Sequence, residues 1–224
     1  MPAEEAVDAT TPPVDRAIVL AGGVLSTTPD PASSTTVVAA DSGYDHAIDL
    51  AIRVDTLVGD MDSISQEGLD HARSRDVDIL EYPASKDHTD LELAILAAAA
   101  SGVREIDIHG GEGGSLGHLL GVALELTDER WNDLTLRWHT AGGIAQAARP
   151  GSAVSIEGTP GDVVSLIPVG DAEGVTTSGL AWTLDDEKLA AGTTRGLRNE
   201  IVAPPAVVRV SKGIVIVVWE GDQP

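Results

Sequence analysis

The stretch "TVVAADSGYDHAIDLAIRVDTLVGDMDSIS", residues 36–65, decides the fold. Its first apolar run, 36–40, predicts a short strand, and the apolar residues that follow at helical spacing predict a helix over 44–53. A second apolar run at 55–58 predicts another strand. Strands that alternate with helices in this way predict a parallel sheet with helices on both faces.

The same alternation continues on both sides of this stretch. Further strands are predicted over 16–21, 77–82, 104–109 and 133–139, and further helices over 65–75, 89–100 and 119–129. Thr89 and Glu92, at the start of one of these helices, have the spacing of a capping box. This part of the chain is therefore predicted to be a Rossmann-like α/β domain.

The pattern changes near residue 149. Short β-branched runs separated by Gly, Pro and Asp replace the helical periods, which predicts a small antiparallel β-sandwich or barrel. We therefore expect an α/β domain over 16–148 and a C-terminal β-sandwich domain over 149–224. Residues 1–15 are acidic and Pro-rich and are predicted to be a disordered tail.

The composition excludes several classes of function. The formal net charge is −22, with 36 acidic residues against 14 Lys and Arg. Nucleic acids and anionic membranes bind clustered Lys and Arg, so neither is expected as a partner. Without Cys there are no disulfides or thiolate metal sites. No apolar run is long enough to span a bilayer and the N-terminus lacks the pattern of a signal peptide, so we expect a soluble, cytoplasmic protein.

Acids and glycines follow the predicted strands, at the edge where parallel sheets bind ligands. Asp60 and Asp62 lie so close that their charges repel, which calls for a cation. With Asp87 they form an oxygen ligand set that suits Mg²⁺, which would bridge the carboxylates to the phosphates of ATP. Lys86 and the backbone N–H groups of the glycine-rich run 110–117 could share the remaining phosphate charge.

Each of these features has a structural alternative. Asp41, taken alone, is typical of a turn after a strand. Asp87 and Asp90 could serve only to stabilise a helix N-terminus, and the glycine-rich run could be an ordinary loop. Their shared position at one edge of the sheet is what favours a functional site.

Several motifs, in order and spacing, resemble those of the thiamine pyrophosphokinase family. The N-terminal ones are "AADSGYDHAIDLAIRVDTLVGDMDSI", "KDHTDLELAI" and "GGEGGSLGH". The C-terminal runs "GVTTSGLAWTL" and "GTTRGLRNE" resemble the β-domain of the family, and the resemblance covers about residues 16–220. It implies Mg²⁺-dependent transfer of pyrophosphate from ATP to thiamine with release of AMP. It also implies a homodimer with active sites between subunits.

The resemblance assigns roles to individual residues. The implied catalytic residues are Asp60, Asp62, Asp87 and Asp90, of which Asp60, Asp62 and Asp87 would bind the metal. The implied substrate-binding residues are Asp41, Ser63, Lys86, Gly113, Gly114 and His118, together with Trp182 and Asn199 at the thiamine end. Trp182 could instead be a core residue of the sandwich.

The sequence departs from the family pattern in the glycine-rich segment. Ser115 and Gly117 stand where the family has Arg and Asp, and Val122 stands where it has Asn. His109, Arg195 and Arg198 are the residues that could replace the lost groups. These changes leave open a weakly active or inactive member that binds thiamine or a nucleotide. A third hypothesis is a nucleotide-sugar transferase, because Asp-x-Asp after a strand also binds metal–nucleotide-sugar complexes.

Overall fold

The computed structural model describes residues 16–31, 35–85 and 87–221. The tail predicted over 1–15 and Lys86 lie outside the described residues. The N-terminal part contains six parallel strands: β1 Arg16–Leu20, β2 Thr36–Ala40, β3 Thr56–Gly59, β4 Asp78–Glu81, β5 Glu105–His109 and β6 Thr135–Thr140. Their order in the sheet is β4-β3-β2-β1-β5-β6. All six were predicted, with ends that differ by at most two residues.

Four helices and a short 3-10 helix connect these strands. They are α1 Gly43–Asp49, α2 Gln66–Ser74, α3 Asp90–Ala100, α4 Leu116–Glu125 and the 3-10 helix Glu129–Trp131. The predicted end of α1 at residue 53 is wrong, because the chain leaves the helix at Ala51, which has φ 54°. The predicted start of α4 at residue 119 is also wrong, because Ser115 Oγ accepts a hydrogen bond from the His118 N–H and begins the helix earlier.

The C-terminal part is antiparallel. Its strands are β7 Gly143–Ala148, β8 Val154–Ile156, β9 Val163–Ser178, β10 Glu187–Leu189, β11 Asn199–Glu200, β12 Ala206–Arg209 and β13 Lys212–Glu220. β7 pairs with both β6 and β13, so one sheet continues from the parallel strands into the antiparallel ones. The predicted domain boundary falls between β7 and β8. An α/β part followed by an antiparallel β part confirms the predicted fold class.

The parallel strands are buried on both faces. In β1, Ala17 and Val19 join the core under α3 and α4, whereas Ile18 and Leu20 join the core under α1 and α2. A third core fills the C-terminal part. Because helices cover both faces of the sheet, a ligand can reach it only at the ends of the strands.

Within the described ranges, no helix has both the length and the apolar character that a bilayer span requires.

Candidate active site

A cleft of about 700 Å³ opens at the carboxyl ends of the parallel strands. The turn after β1, the ends of β2 and β3, the start of α3 and one face of α4 all contribute to its lining. Asp41, Asp60, Ser63, Asp90 and His118, all singled out in the sequence, line this cleft. The topology therefore brings residues from five separate segments into one space.

Three acids form a cluster, and two of them, Asp41 and Asp60, line the cleft. Carboxylate oxygens of Asp41, Asp60 and Asp62 all lie within 4.8 Å of one another. Asp41 is 4% exposed, Asp60 is half-buried and Asp62 is exposed, so the cluster extends from the interior to solvent. Asp87 was expected in this group; it is exposed and does not join the cluster that the described residues form. Asp41 takes the third position.

The environment of Asp41 opposes its negative charge. Burial raises the pKa of the Asp41 carboxyl, and the nearby charges of Asp90 and Asp62 raise it further. Hydrogen bonds from the backbone N–H groups of Ser63, at 3.2 Å, and Ile64, at 2.9 Å, lower the same pKa. A cation bound among these acids would relieve the repulsion and favour the ionised form.

The backbone around the acids adopts left-handed conformations. Asp41 has φ 45° and Met61 has φ 62°, each a conformation that costs a non-glycine residue about 1 kcal/mol or more. At Gly59, a Cβ atom would lie 3.1 Å from Asp41 Cβ and 3.1 Å from Asp90 Oδ1. Glycine thus allows β3 to end close against two acids. Strained residues of this kind concentrate at functional sites.

The start of α3 places Asp90 beside the acids. Thr89 Oγ1 accepts a hydrogen bond from the Glu92 N–H at 3.1 Å, which is one half of the predicted capping box. The other half is absent among the described contacts, because the buried Glu92 carboxylate binds Arg130 and His88 Nδ1 instead. His88 itself lines the cleft, and no motif in the sequence predicted this position.

The glycine-rich loop is fixed to the end of β1. The Gly111 N–H donates to Gly22 O at 2.7 Å, and the Val24 N–H donates to Glu112 O at 2.8 Å. Gly113 and Gly114 are exposed and have left-handed φ angles of 81° and 68°. The loop can therefore present backbone to a ligand without interfering side chains.

His109 does not supply the group missing from this loop. Its ring does not line the cleft; it is buried, with Nδ1 2.7 Å from Thr27 Oγ1 and the ring stacked on His139. Burial and the neighbouring His139 lower the pKa of His109 to about 4, so the ring is neutral at pH 7. The hypothesis that His109 replaces a cationic phosphate ligand is wrong.

A second cavity of about 700 Å³ lies in the β part and is bordered by Trp182, Arg195, Arg198 and Asn199. Trp182 is 62% exposed, so the alternative that it is a core residue is wrong. Asn199 is buried, and its side-chain amide binds the backbone of Trp182: the Trp182 N–H donates to Oδ1 at 3.0 Å and Nδ2 donates to Trp182 O at 2.7 Å. Asn199 therefore positions the segment that presents the indole ring.

Solved structures share this two-part architecture. A thiamin pyrophosphokinase family protein from Enterococcus faecalis matches with a TM-score of 0.81 and 24% identity, over 93% of this chain and 100% of that chain. Thiamine pyrophosphokinase from Bacillus subtilis matches with a TM-score of 0.77 and 24% identity, over 93% and 100% of the two chains. At this identity the likeness defines the class of fold, an α/β part followed by an antiparallel β part.

Sequence comparison defines the family. The model of the thiamin pyrophosphokinase catalytic domain matches residues 31–136, and that of the vitamin B1 binding domain matches residues 153–215. A curated relative, thiamine pyrophosphokinase of Bacillus subtilis (strain 168), is 26% identical over 209 residues, which span 91% of this chain and 98% of the relative. The chain belongs to the thiamin pyrophosphokinase family, as its motifs predicted.

Proposed function

We propose that this protein transfers a pyrophosphate group from ATP to the hydroxyl group of thiamine, with AMP as the second product. The observation that supports it most is the acid cluster of Asp41, Asp60 and Asp62, in which Asp41 and Asp60 line one cleft with glycines of the glycine-rich loop. The chain's membership of the family supports the choice of thiamine as the acceptor.

The acid cluster fits a Mg²⁺ ion. Its ligand atoms are carboxylate oxygens, which Mg²⁺ prefers, and their mutual repulsion provides a reason to bind a cation. Asp41, Asp60 and Asp62 would hold the ion, and Asp87 stays a predicted participant. When bound, the ion neutralises charge on the phosphates of ATP.

The residues of the chain itself act by positioning. Gly111 and Gly117 of the glycine-rich loop line the same cleft as Asp41 and Asp60, and so does His118, so together they can orient the phosphates of ATP. Phosphoryl transfer needs little covalent participation from protein, and alignment with charge stabilisation supplies most of the rate. Attack of the thiamine oxygen on the β-phosphorus breaks the bond to the α-phosphate oxygen, so the leaving group is AMP.

A homodimer with shared sites is part of the proposal. One face of α4 exposes Leu116, Leu120 and Leu124, which are 70%, 53% and 51% exposed. Trp182 and Leu197 are exposed in the β part, at 62% and 45%. Apolar groups that cluster on a surface in this way mark interaction sites. Contact between α4 of one subunit and the β part of its partner would bring Trp182 to the cleft.

The other hypotheses have less support. A nucleotide-sugar transferase does not account for the match of both parts of the chain to thiamin pyrophosphokinase domains. An inactive member does not account for an assembled acid cluster with strained backbone around it. Location in the cytoplasm stays a prediction.

Product analysis tests the proposal. Incubation with ATP, Mg²⁺ and thiamine should give AMP and thiamine diphosphate by phosphorus NMR, and AMP should not form without thiamine. Asp62→Asn should lower the rate by about 100-fold or more, because it removes a charged metal ligand. Asp49→Asn, the same change at an exposed position on α1, is the control and should have little effect. Formation of ADP and thiamine monophosphate would refute the proposal. So would AMP formation that does not depend on added thiamine.

A further inference from the structure

The cleft has a second acidic end, away from the acid cluster. Glu125 lies in the last turn of α4 and lines the cleft, and its side chain is 17% exposed. Gly117 and Gly121 precede it on the same face of the helix at intervals of four residues. From Gly117 to Glu125 the helix rises by about 12 Å. α4 therefore runs from the glycine-rich loop, where we place the phosphates, to a carboxylate further along the cleft.

Only one oxygen of the Glu125 carboxylate, Oε1, accepts a hydrogen bond from the described residues. Trp131 Nε1 donates to Oε1 at 3.2 Å, and Arg130 Nη2 lies 4.0 Å from the same oxygen. Among the described residues, Oε2 makes no hydrogen bond. Burial, with the nearby charge of Glu92, raises the pKa of Glu125. A carboxylate that has lost much of its water gains from a new hydrogen-bond donor.

The surface between the loop and Glu125 is open. Gly121 has no neighbouring atom within 4 Å of the position that a Cβ would occupy, and at Gly117 the nearest atom is Ser115 Oγ at 3.8 Å. A ligand can thus approach the helix backbone along this face. Val122 adds an apolar contact and no hydrogen-bonding group. Beyond His118, which lies beside the glycine-rich loop, Glu125 is the α4 side chain in the cleft lining that can accept hydrogen bonds from a ligand.

We propose that Glu125 accepts a hydrogen bond from a ribose hydroxyl of ATP and makes the cleft selective for ribonucleotides. The inference rests on the proposed function, which puts the phosphates at the loop and the acid cluster. The nucleoside must extend away from the phosphates, and α4 offers it an open face that ends in an acceptor. A carboxylate can only accept hydrogen bonds, and a ribose offers two hydroxyl donors. Acids bind ribose hydroxyls in the same way in other nucleotide-binding α/β folds.

Direct binding provides the first test, because it does not depend on turnover. Calorimetry with Mg²⁺ would compare ATP with 2′-deoxy-ATP and 3′-deoxy-ATP on the whole protein. The wild type should bind ATP about 10-fold or more tightly than at least one deoxy analogue, which is the usual effect of a lost hydrogen bond to a charged group. Glu125→Ala should bind ATP as weakly as that analogue, so that the preference disappears.

Two further variants separate selectivity from folding. Glu125→Gln retains the size of the side chain and an oxygen for Trp131, and it should lower the preference even if Glu125→Ala fails to fold. Glu129→Gln makes the same charge change at an exposed residue of the 3-10 helix, outside the cleft lining, and should leave the preference unchanged.

Steady-state kinetics distinguish this inference from the proposed function. In Glu125→Gln the KM for ATP should rise while the KM for thiamine stays within about two-fold, since the nucleoside alone loses a contact. A rise in the KM for thiamine alone would show that Glu125 faces the acceptor and would overturn the inference. So would an unchanged preference for ATP in both Glu125 variants. If ATP binds selectively but thiamine-dependent AMP is absent, the proposed function fails and the inference stands.

Discussion

At the scale of single residues, a buried polar layer lies on one side of the sheet, under the loop that follows β1. Asp107 and His109 are 1% and 4% exposed and lie two residues apart on β5, so both face the same way. Asp107 accepts from His139 Nε2 at 2.8 Å and pairs with Arg16, which lowers its pKa despite burial. His109 has a hydroxyl partner, Thr27, and no acid. Both pKa values are therefore lowered, but for different reasons: the cationic partners lower that of Asp107, whereas burial lowers that of His109.

His109 should make the fold less stable in mild acid. Its pKa is about 4 in the folded protein and about 6.5 in the unfolded chain, so the unfolded chain binds the proton first as the pH falls. Its contribution is lost between pH 6.5 and 4, and at pH 5 the loss amounts to about 2 kcal/mol. His109→Asn, which retains a group for Thr27, removes this titration. Urea unfolding at pH 7.5 and pH 5 should show a smaller loss of stability in the variant.

The wild type and variant at pH 7.5 provide the control, because cavity and stacking effects of the substitution are present at both pH values. Only the difference between the two pH values reports the titration of His109. Equal losses of stability in the two proteins would show that other groups carry the acid sensitivity.

The residue types alone identified most of the acids at the cleft, but they did not show which three of these acids lie together. Asp60 and Asp62 were recognisable because two acids followed a strand. Whether Asp41 or Asp87 joins them depends on strand register: β2 pairs Ala40 with Val58, which brings Asp41 beside the end of β3. The register between β2 and β3 cannot be deduced from the pattern of residues in the sequence. Glu125 was missed for a related reason, since its spacing from Gly117 has meaning only once α4 is known to begin at Leu116.

At the scale of elements, α4 is a helix with two functional faces. Gly117, Gly121 and Glu125 face the cleft, whereas Leu116, Leu120 and Leu124 are exposed. Its sequence "LGHLLGVALE" is apolar almost all round, which made the helix easy to predict and its faces hard to assign. β7 was not predicted at all, because "GIAQAA" has small side chains and no clear alternation. Pairing with β6 and β13 on both sides determines this strand instead.

The exposed leucines of α4 should matter for assembly rather than for folding. Changing both Leu120 and Leu124 to Gln should leave the free energy of unfolding of the isolated chain within about 1 kcal/mol, since both are half exposed. The same change should weaken the proposed dimer and, with it, activity. Sedimentation equilibrium would measure mass, and assays over a range of protein concentrations would measure activity.

Leu96→Gln is a matched control, because Leu96 is also partly exposed but lies on α3. It should change neither mass nor activity. If the double variant retains the mass and activity of the wild type, α4 is not part of an interface.

At the scale of the whole molecule, the cleft and the Trp182 cavity belong to different regions of one sheet. The acids follow β2 and β3, and the Trp182 segment lies beside β9, which is seven positions from β3 in the strand order. At the usual spacing of neighbouring strands this is roughly 33 Å along the sheet. A molecule the size of thiamine cannot bridge that separation. If both regions contact one thiamine, we therefore expect them to come from different subunits.

Mixing two defective variants tests this arrangement. Asp62→Asn should inactivate the metal end of a site, and Trp182→Ala should weaken the thiamine end, because a cationic thiazolium ring gains from an aromatic face. In a mixed dimer one site carries both defects and the other carries neither. Equal mixing with full exchange should therefore restore about a quarter of the wild-type activity, since half of the dimers are mixed and each has one intact site. Trp182→Ala is preferable to a change at Asn199, whose amide holds the backbone of residue 182.

The result depends on proof that subunits exchange, which a mass tag on one variant and native mass spectrometry would supply. Each variant mixed with itself is the control: Asp62→Asn should stay inactive, and Trp182→Ala should keep only its own lowered activity. Recovery of activity requires that Asp62 of one chain and Trp182 of the other act on the same thiamine, because no single chain in the mixture has both. Mixed dimers without activity would mean that each chain builds its own site, and the 33 Å separation along the sheet would then have to close within one chain, by a movement of the β part towards the cleft.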